Sequence, residues 1–162
     1  MERVSRGDQA AFGVLVARHE KALRAFLGRV AGADAADELA QQSFVKAWQS
    51  AGRFRGEAGF STWLHAIAWR CFLDSARAGR REARKREAAA DLGDDVEAPS
   101  SEPRLDLARA LERLAPVERA ALVLCEGHGW SHGEAAAILS IPLGTLKSHV
   151  LRAKRKCRAM LS

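Results

Sequence analysis

The sequence predicts an all-α protein: two small helical domains joined by a flexible linker, the C-terminal one containing a helix-turn-helix. Three observations predict it. Nearly every periodic segment of the 162 residues repeats at 3.6, not at 2. Residues 88–103 carry Asp91, Asp94, Asp95, Glu97 and Glu102, two prolines, no basic residue and no helical stripe, which reads as a tether. After it, a short helix, a turn and a longer basic helix follow in the order of a helix-turn-helix.

Taken in order, a first helix starts at Asp8, a plausible N-cap, and carries Phe12, Leu15 and Val16. A second carries Leu23, Phe26, Leu27 and Val30 and stops near Gly32. A third starts near Asp34 with Leu39, Phe44, Val45 and Trp48. The glycine-containing loop 52–60 separates it from a long fourth helix, which Ser61 can cap. Beyond the linker, Leu105 to Leu114 forms one helix. Pro116 suits the first position of the next, which ends near Gly127. Ser131 and Glu134 make a capping box for a helix carrying Ala135, Ala136, Ile138 and Leu139. Residues 140–144 turn into the last helix, which reaches Met160. The domains are therefore 1–87 and 104–162.

Composition sets the class. Hydrophobic residues at 48% and charged residues at 28% suit a packed core and exclude wholesale disorder. No apolar run is long enough to span a membrane, and Met1 to Asp8 does not resemble a secretory signal, so a soluble cytoplasmic protein is expected. Cys71, Cys125 and Cys157 are odd in number and far apart, which is no disulfide framework and fits a reducing compartment.

The net charge of +6 is less telling than its distribution. Residues 76–87 hold a net +4 and residues 147–158 a net +6, leaving the rest of the chain acidic. Charge gathered on two segments points to a polyanion touched at two places; two solvated helix ends are the plainer reading.

In the last helix, Leu146, Val150, Ala153 and Cys157 form one buried stripe. Thr145, Ser148, His149 and Arg152 share another face, with short donors and acceptors near the helix start and a basic group one turn on. That face can enter a major groove and read base edges. Lys147, Lys154 and Arg155 flank it and suit phosphates.

In the first domain, seven of the ten aromatic residues lie between positions 44 and 72. Leu64, Ile67, Ala68 and Cys71 make the buried side of the fourth helix, while Trp63, Arg70, Asp74, Arg77, Arg81 and Arg84 lie on another arc. A tryptophan in a line of arginines suits single-stranded nucleic acid, with bases stacked on the ring and phosphates held by guanidiniums; a core anchor is the alternative for Trp63. The Arg53-Phe54-Arg55-Gly56 loop can cradle an extruded base or merely connect. Asp37, Glu38 and Gln41 give the third helix an acidic-polar face that suits a basic protein partner.

These residues resemble bacterial σ factors of the extracytoplasmic-function (ECF) group of the σ70 family, which direct RNA polymerase to promoters. The stretch from Asp34 through Asp37, Glu38, Gln41, Gln42 and Phe44 to Trp48 is similar to the family's polymerase-binding helix. Phe60-Ser61-Thr62-Trp63-Leu64 onward to Asp74 resembles its promoter-melting helix. Leu114-Ala115-Pro116, Trp130-Ser131 to Leu139, and Gly144-Thr145-Leu146-Lys147-Ser148-His149 through Arg152 to Arg155 resemble its −35-reading domain. The family usually has Asn where this chain has Arg70, a smaller residue than Trp69, and Glu-Asp where this chain has Asp37-Glu38.

The resemblance implies a transcription initiation factor, active in a stress response, cytoplasmic and nucleoid-associated when bound to polymerase. Asp37, Glu38, Gln41, Gln42, Phe44 and Trp48 would bind the β′ clamp helices. Arg53, Phe54, Arg55, Phe60, Ser61, Trp63, Arg70, Arg77, Arg80 and Arg81 would recognise and melt the −10 element. Ser131, Thr145, Lys147, Ser148, His149, Arg152 and Arg155 would read the −35 element while the domain docks on the β flap. Core RNA polymerase, promoter DNA and an anti-σ factor are the implied partners; no cofactor is implied.

Other readings are weaker. The C-terminal domain alone also resembles LuxR-type regulators, but no strand-rich receiver pattern precedes it. No phosphate loop, nucleophile elbow or H-E-x-x-H motif marks an enzyme. Cys125, His128 and His132 have a spacing tolerable for zinc, with a fourth ligand to come from elsewhere, Glu134 being the candidate. His19 and His65 are expected at the surface and His149 facing DNA.

Overall fold

The computed structural model describes residues 1–88 and 103–161, and side chains throughout except those of residues 103–106. Most of the expected tether, residues 89–102, lies outside the described residues.

Every regular element described is helical. After the short α1 (Glu2–Ser5), Asp8 caps α2 (Gln9–Ala31), its carboxylate accepting from the Ala11 amide at 2.9 Å. The two first helices expected from sequence are thus one. The apolar stripe runs on from Leu15 and Val16 through His19 to Leu23, and neither Gly13 nor Gly28 suffices to break a helix supported by packing. Gly32, at φ +92°, closes α2 and starts α3 (Ala33–Gln49) without an intervening loop.

A single 3₁₀ turn (Ala51–Arg53) and an irregular stretch lead to α4 (Phe60–Glu87), which at 28 residues is about 42 Å long. Gly59 occupies its N-cap, not Ser61. Ser61 lies inside the first turn, where its carbonyl accepts from the His65 ring. Leu23, Phe26, Leu27, Leu39, Leu64 and Ala68 form the core where α2, α3 and α4 meet.

The second lobe begins at α5 (Pro103–Glu112), so Pro103, expected at the end of the linker, already starts a helix. Then α6 (Pro116–Leu122) passes without a break into a π-helical turn (Val123–Gly127). The capping box forms at α7 (His132–Leu139): the Ser131 hydroxyl accepts from the Glu134 amide, and the Glu134 carboxylate accepts from the Ser131 amide at 3.0 Å. Ser140 ends α7 in the left-handed region, at φ 55° and ψ 45°. In α8 (Leu143–Leu161) the stripe Leu146, Val150, Ala153 and Cys157 is buried, as its spacing predicts.

The two lobes pack on each other. α7 lies against α4, and the end of α2 meets α5, α6 and the π turn. His65 belongs to this seam and is 1% exposed, against the surface position expected for it. Its ring lies 5.2 Å from Trp130 and 6.5 Å from His128, and His128 lies 6.3 Å from Phe26. Arg119 crosses the seam, its Nη1 donating to the Val30 carbonyl at 2.8 Å. That carbonyl is among the last of α2, where a cation is favoured.

Candidate polymerase and nucleic-acid interfaces

On the first surface, Asp37, Glu38, Gln41 and Gln42 are all exposed on α3. Gln42 donates to Glu38 at 3.1 Å, and Asp37 lies 3.5 Å from Arg24 on α2. Glu38, Gln41, Gln42, Val45, Lys46 and Gln49 line a shallow depression of about 450 Å³, and Phe44 lies in a second, with Val45 and Gln41, between α3 and α2. Phe44 and Trp48 are half-buried against Phe12, at 6.4 and 5.1 Å, so they hold α3 on α2 from behind the polar face. Exposed Val45 sits in the middle of that face. The sequence marked Val45 only as one of the apolar residues of this helix; its place between Gln41 and Gln49 was the available signal.

The second surface is the loop before α4. Gly56, at φ +72°, turns the chain so that Arg53, Phe54, Arg55, Gly56, Glu57, Ala58 and Trp63 line an open pocket of about 220 Å³. That is far more than the ~30 Å³ a water occupies. Phe54 stands edge-on to Trp63 at 5.1 Å, Phe60 lies 5.9 Å from Trp63, and His19 backs Phe60 at 5.1 Å. Trp63 is therefore both packed and presented: one side joins the aromatic cluster, another walls the cavity. Along α4, Arg70, Arg77, Arg80 and Arg81 are exposed. Asp74 partly neutralises this row, lying 3.8 Å from Arg77 and 3.6 Å from Lys46. Trp69 is buried and stacks on Phe72 at 5.3 Å. Ser61 is half-buried.

The third surface is the outer face of α8. Thr145, Lys147, Ser148 and Arg155 are exposed. The Ser148 hydroxyl donates to the Gly144 carbonyl at 3.0 Å, which leaves its lone pairs outward. His149 is half-buried, its Nδ1 without a hydrogen-bond partner. Arg152 lies 3.5 Å from Glu118, and Lys154 pairs with Glu126 at 2.7 Å. Ser131 is exposed, but its hydroxyl is engaged with Glu134 at 2.6 Å. Leu151 is 71% exposed amid these cations, a position able to meet a thymine methyl. Sequence reasoning passed over it, although it falls between Ser148 and Arg155 on the helix face.

Electrostatics separates surface groups from seam groups. Burial in the seam pushes the His65 ring down to about 4, against the opposing effect of its bond to Ser61. Burial, then Arg29, also lowers His128. Among the described residues, no three His, Cys, Asp or Glu side chains gather as they would around a metal ion. Nor is any described helix long and apolar enough to cross a membrane.

Residues 15–82 match the family description Sigma-70 region 2, and residues 104–157 match Sigma-70, region 4. The chain is 33% identical to the RNA polymerase sigma-H factor of Pseudomonas aeruginosa and to the ECF RNA polymerase sigma-E factor of Escherichia coli (strain K12); each alignment covers 95% of this chain and 88% of the relative. Among solved structures it is similar to the sigma factor RpoE in complex with the anti-sigma factor NepR from Bartonella quintana, with a TM-score of 0.79 and 28% identity over 93% of this chain and 96% of that one. It is also similar to CnrH in complex with the cytosolic domain of CnrY, with a TM-score of 0.73 and 29% identity over 99% and 93%. With region 2 upstream, a stand-alone LuxR-type regulator has no support.

Proposed function

The chain belongs to the σ70 family of RNA polymerase sigma factors, in its extracytoplasmic-function group, and on that premise we propose how its surfaces divide the work. It is a transcription initiation factor that binds core RNA polymerase and promoter DNA.

In this reading residues 1–87 bind polymerase and melt the −10 element, residues 104–162 read the −35 element and dock on the β flap, and residues 88–103 tether them. Asp37, Glu38, Gln41 and Gln42 meet the β′ clamp helices, with Val45 as their apolar centre and Phe44 and Trp48 as the brace. An unstacked −10 base enters the pocket that Phe54 and Trp63 border and Phe60 supports. Arg53 and Arg55 hold its phosphates there, and Arg70, Arg77, Arg80 and Arg81 follow the strand along α4. Ser61 acts through its place in the first turn of α4. Thr145, Lys147, Ser148, His149, Arg152 and Arg155 face the −35 major groove, while Ser131 acts through the cap that fixes α7. The chain works by binding, not by catalysis, in the cytoplasm and on the nucleoid when polymerase carries it. RpoE was solved with the anti-sigma factor NepR and CnrH with the cytosolic domain of CnrY, and a protein anti-σ factor is the corresponding partner here.

The observation that carries this reading is the aromatic, arginine-edged cavity at the start of α4 in a chain that also bears a basic helix-turn-helix. Run-off transcription with core polymerase and a promoter template library tests it. Promoter-specific transcripts are expected from this chain plus core. Their absence, with the same core active alongside another σ factor, would refute it.

A further inference from the structure

Glu118 is 2% exposed, yet it is ionisable and lies on the face of α6 that meets α8. Both of its oxygens are engaged by α8: Oε2 accepts from Lys156 Nζ at 2.7 Å, and Oε1 faces Arg152 Nη1 at 3.5 Å. Arg152 and Lys156 are one turn apart, so the carboxylate bridges neighbouring cations on the same helix. Burial raises the Glu118 carboxyl, but the Lys156 hydrogen bond and charge, the Ala115 amide and Arg152 together bring it below the usual carboxylate range. It is charged at neutral pH.

Burying a carboxylate to pair it with half-exposed cations is a poor device for stability alone, because its desolvation offsets much of the attraction. Its geometric effect is different. The Arg152 side chain is 47% exposed, with one guanidinium nitrogen turned inward to Glu118. Arginine carries five N–H donors in a rigid fork, so donors remain for two acceptors on one base edge. An arginine already anchored loses less rotamer freedom on meeting DNA and meets it in one orientation.

We propose that Glu118 is a positioning residue for promoter recognition: it fixes Arg152 from behind, so that Arg152 discriminates one base pair of the −35 element instead of contacting the groove loosely. This rests on the reading of Arg152 as a −35 contact. Lys156 holds the second oxygen and keeps the carboxylate in place.

The test uses the chain bound to core polymerase. A promoter selected by the wild-type complex from duplexes randomised at the −35 element is compared with each of its single-base-pair variants, and with a template whose −35 element is scrambled. Arg152→Ala should reduce preference at one or two adjacent base pairs by about 5- to 150-fold. Glu118→Gln, which keeps the side chain's shape, should reduce preference at those same base pairs by ~3- to 30-fold. It should bind the scrambled template at least as well as wild type, because a negative charge has left the basic face. In the Arg152→Ala background, Glu118→Gln should subtract nothing further. Retained discrimination in Glu118→Gln, equal loss on all templates, or a further loss in the double variant would overturn the proposal while leaving Arg152 as a reader. Undiminished preference in Arg152→Ala would instead overturn the reading beneath it. Should Glu118→Gln lose helix content, Glu118→Asp, whose shorter carboxylate falls away from Arg152, is read in the same way.

Discussion

At the scale of single residues, Ser140 and His65 mark where local sequence signals stop. Residues 140–144 read plainly as a turn, but serine hides the left-handed conformation that glycine would have announced. An L-residue there carries a steric penalty of about 1–2 kcal/mol, partly offset because glycine loses more backbone freedom on folding. Ser140→Gly should therefore stabilise by up to ~1 kcal/mol and raise the melting temperature by a few degrees in a thermal scan; a lower melting temperature would contradict it. His65 was unreadable for another reason. Phe26 of the first lobe faces the ring at 5.4 Å, but the groups that complete its burial, His128 and Trp130, lie more than sixty positions away. The ring donates from Nδ1 to Ser61, which leaves Nε2 as a buried, unpartnered lone pair. Its value of about 4 lies below the ordinary 6.5, so the unfolded chain binds the proton more readily. The neutral ring's contribution is full above about pH 6.5 and declines as pH falls toward 4. From pH 7.5 to pH 5 the His65 share of that loss is ~2 kcal/mol. Urea titrations of wild type and His65→Phe at both pH values should show the stability difference between them shift by about that amount; an unchanged difference would remove His65 from the account.

At the scale of elements, periodicity was the reliable guide and boundaries were not. The stripe Leu146, Val150, Ala153 and Cys157 and the Ser131–Glu134 box were legible because both are local, fixed by backbone geometry within a few residues. The supposed break within α2 was misread because polar residues 18–21 interrupt the hydrophobicity but not the helical phase. Ser61 had the right chemistry for a cap, but the helix begins two residues earlier, at Phe60 with Gly59 as its N-cap. The cavity before α4 shows the same limit: its arginines and aromatics were all named from sequence, while their closure around a space depends on Gly56 and on Trp63 reaching back to Phe54. Two predictions belong to this element. Phe54→Ala should weaken strand opening, read as permanganate reactivity of −10 thymines, by the ~1–3 kcal/mol typical of one stacked base, with −35 binding unchanged. Equal loss of both would mean that Phe54 only supports the fold. Arg81→Ala should weaken binding on all templates alike and reduce the slope of log affinity against log salt by about 1, whereas loss confined to one sequence would exclude a phosphate role.

At the scale of the molecule, the sequence yields two lobes and a tether but not how the lobes meet. Helical periodicity marks which face of a helix is apolar; it does not say that part of the apolar face of α4 is covered by α7 from the other lobe. The packed arrangement has a consequence for promoter binding. Two helical turns of DNA span ~70 Å, while lobes of this size have radii of gyration near 12 Å and here touch directly. The docked lobes are too close to occupy both promoter elements. The fourteen residues between Ala88 and Pro103 allow a reach of ~50 Å, enough with the lobes themselves to bridge the gap. On the proposed assignment of the two elements to the two lobes, the seam opens when polymerase separates them, and the binding energy of core exceeds what His65, Phe26, Trp130 and the Arg119–Val30 bond supply. Dyes placed at exposed Ala10 and Ala159, with Cys125 replaced by Ser, report that separation by energy transfer. Transfer should be high in the free chain, fall when core polymerase is added, and already be reduced without core in Trp130→Ala, which removes one wall of the seam. Unchanged transfer on core binding, despite promoter-specific transcription by the same labelled chain, would show that the lobes stay docked and that the promoter is bent to meet them.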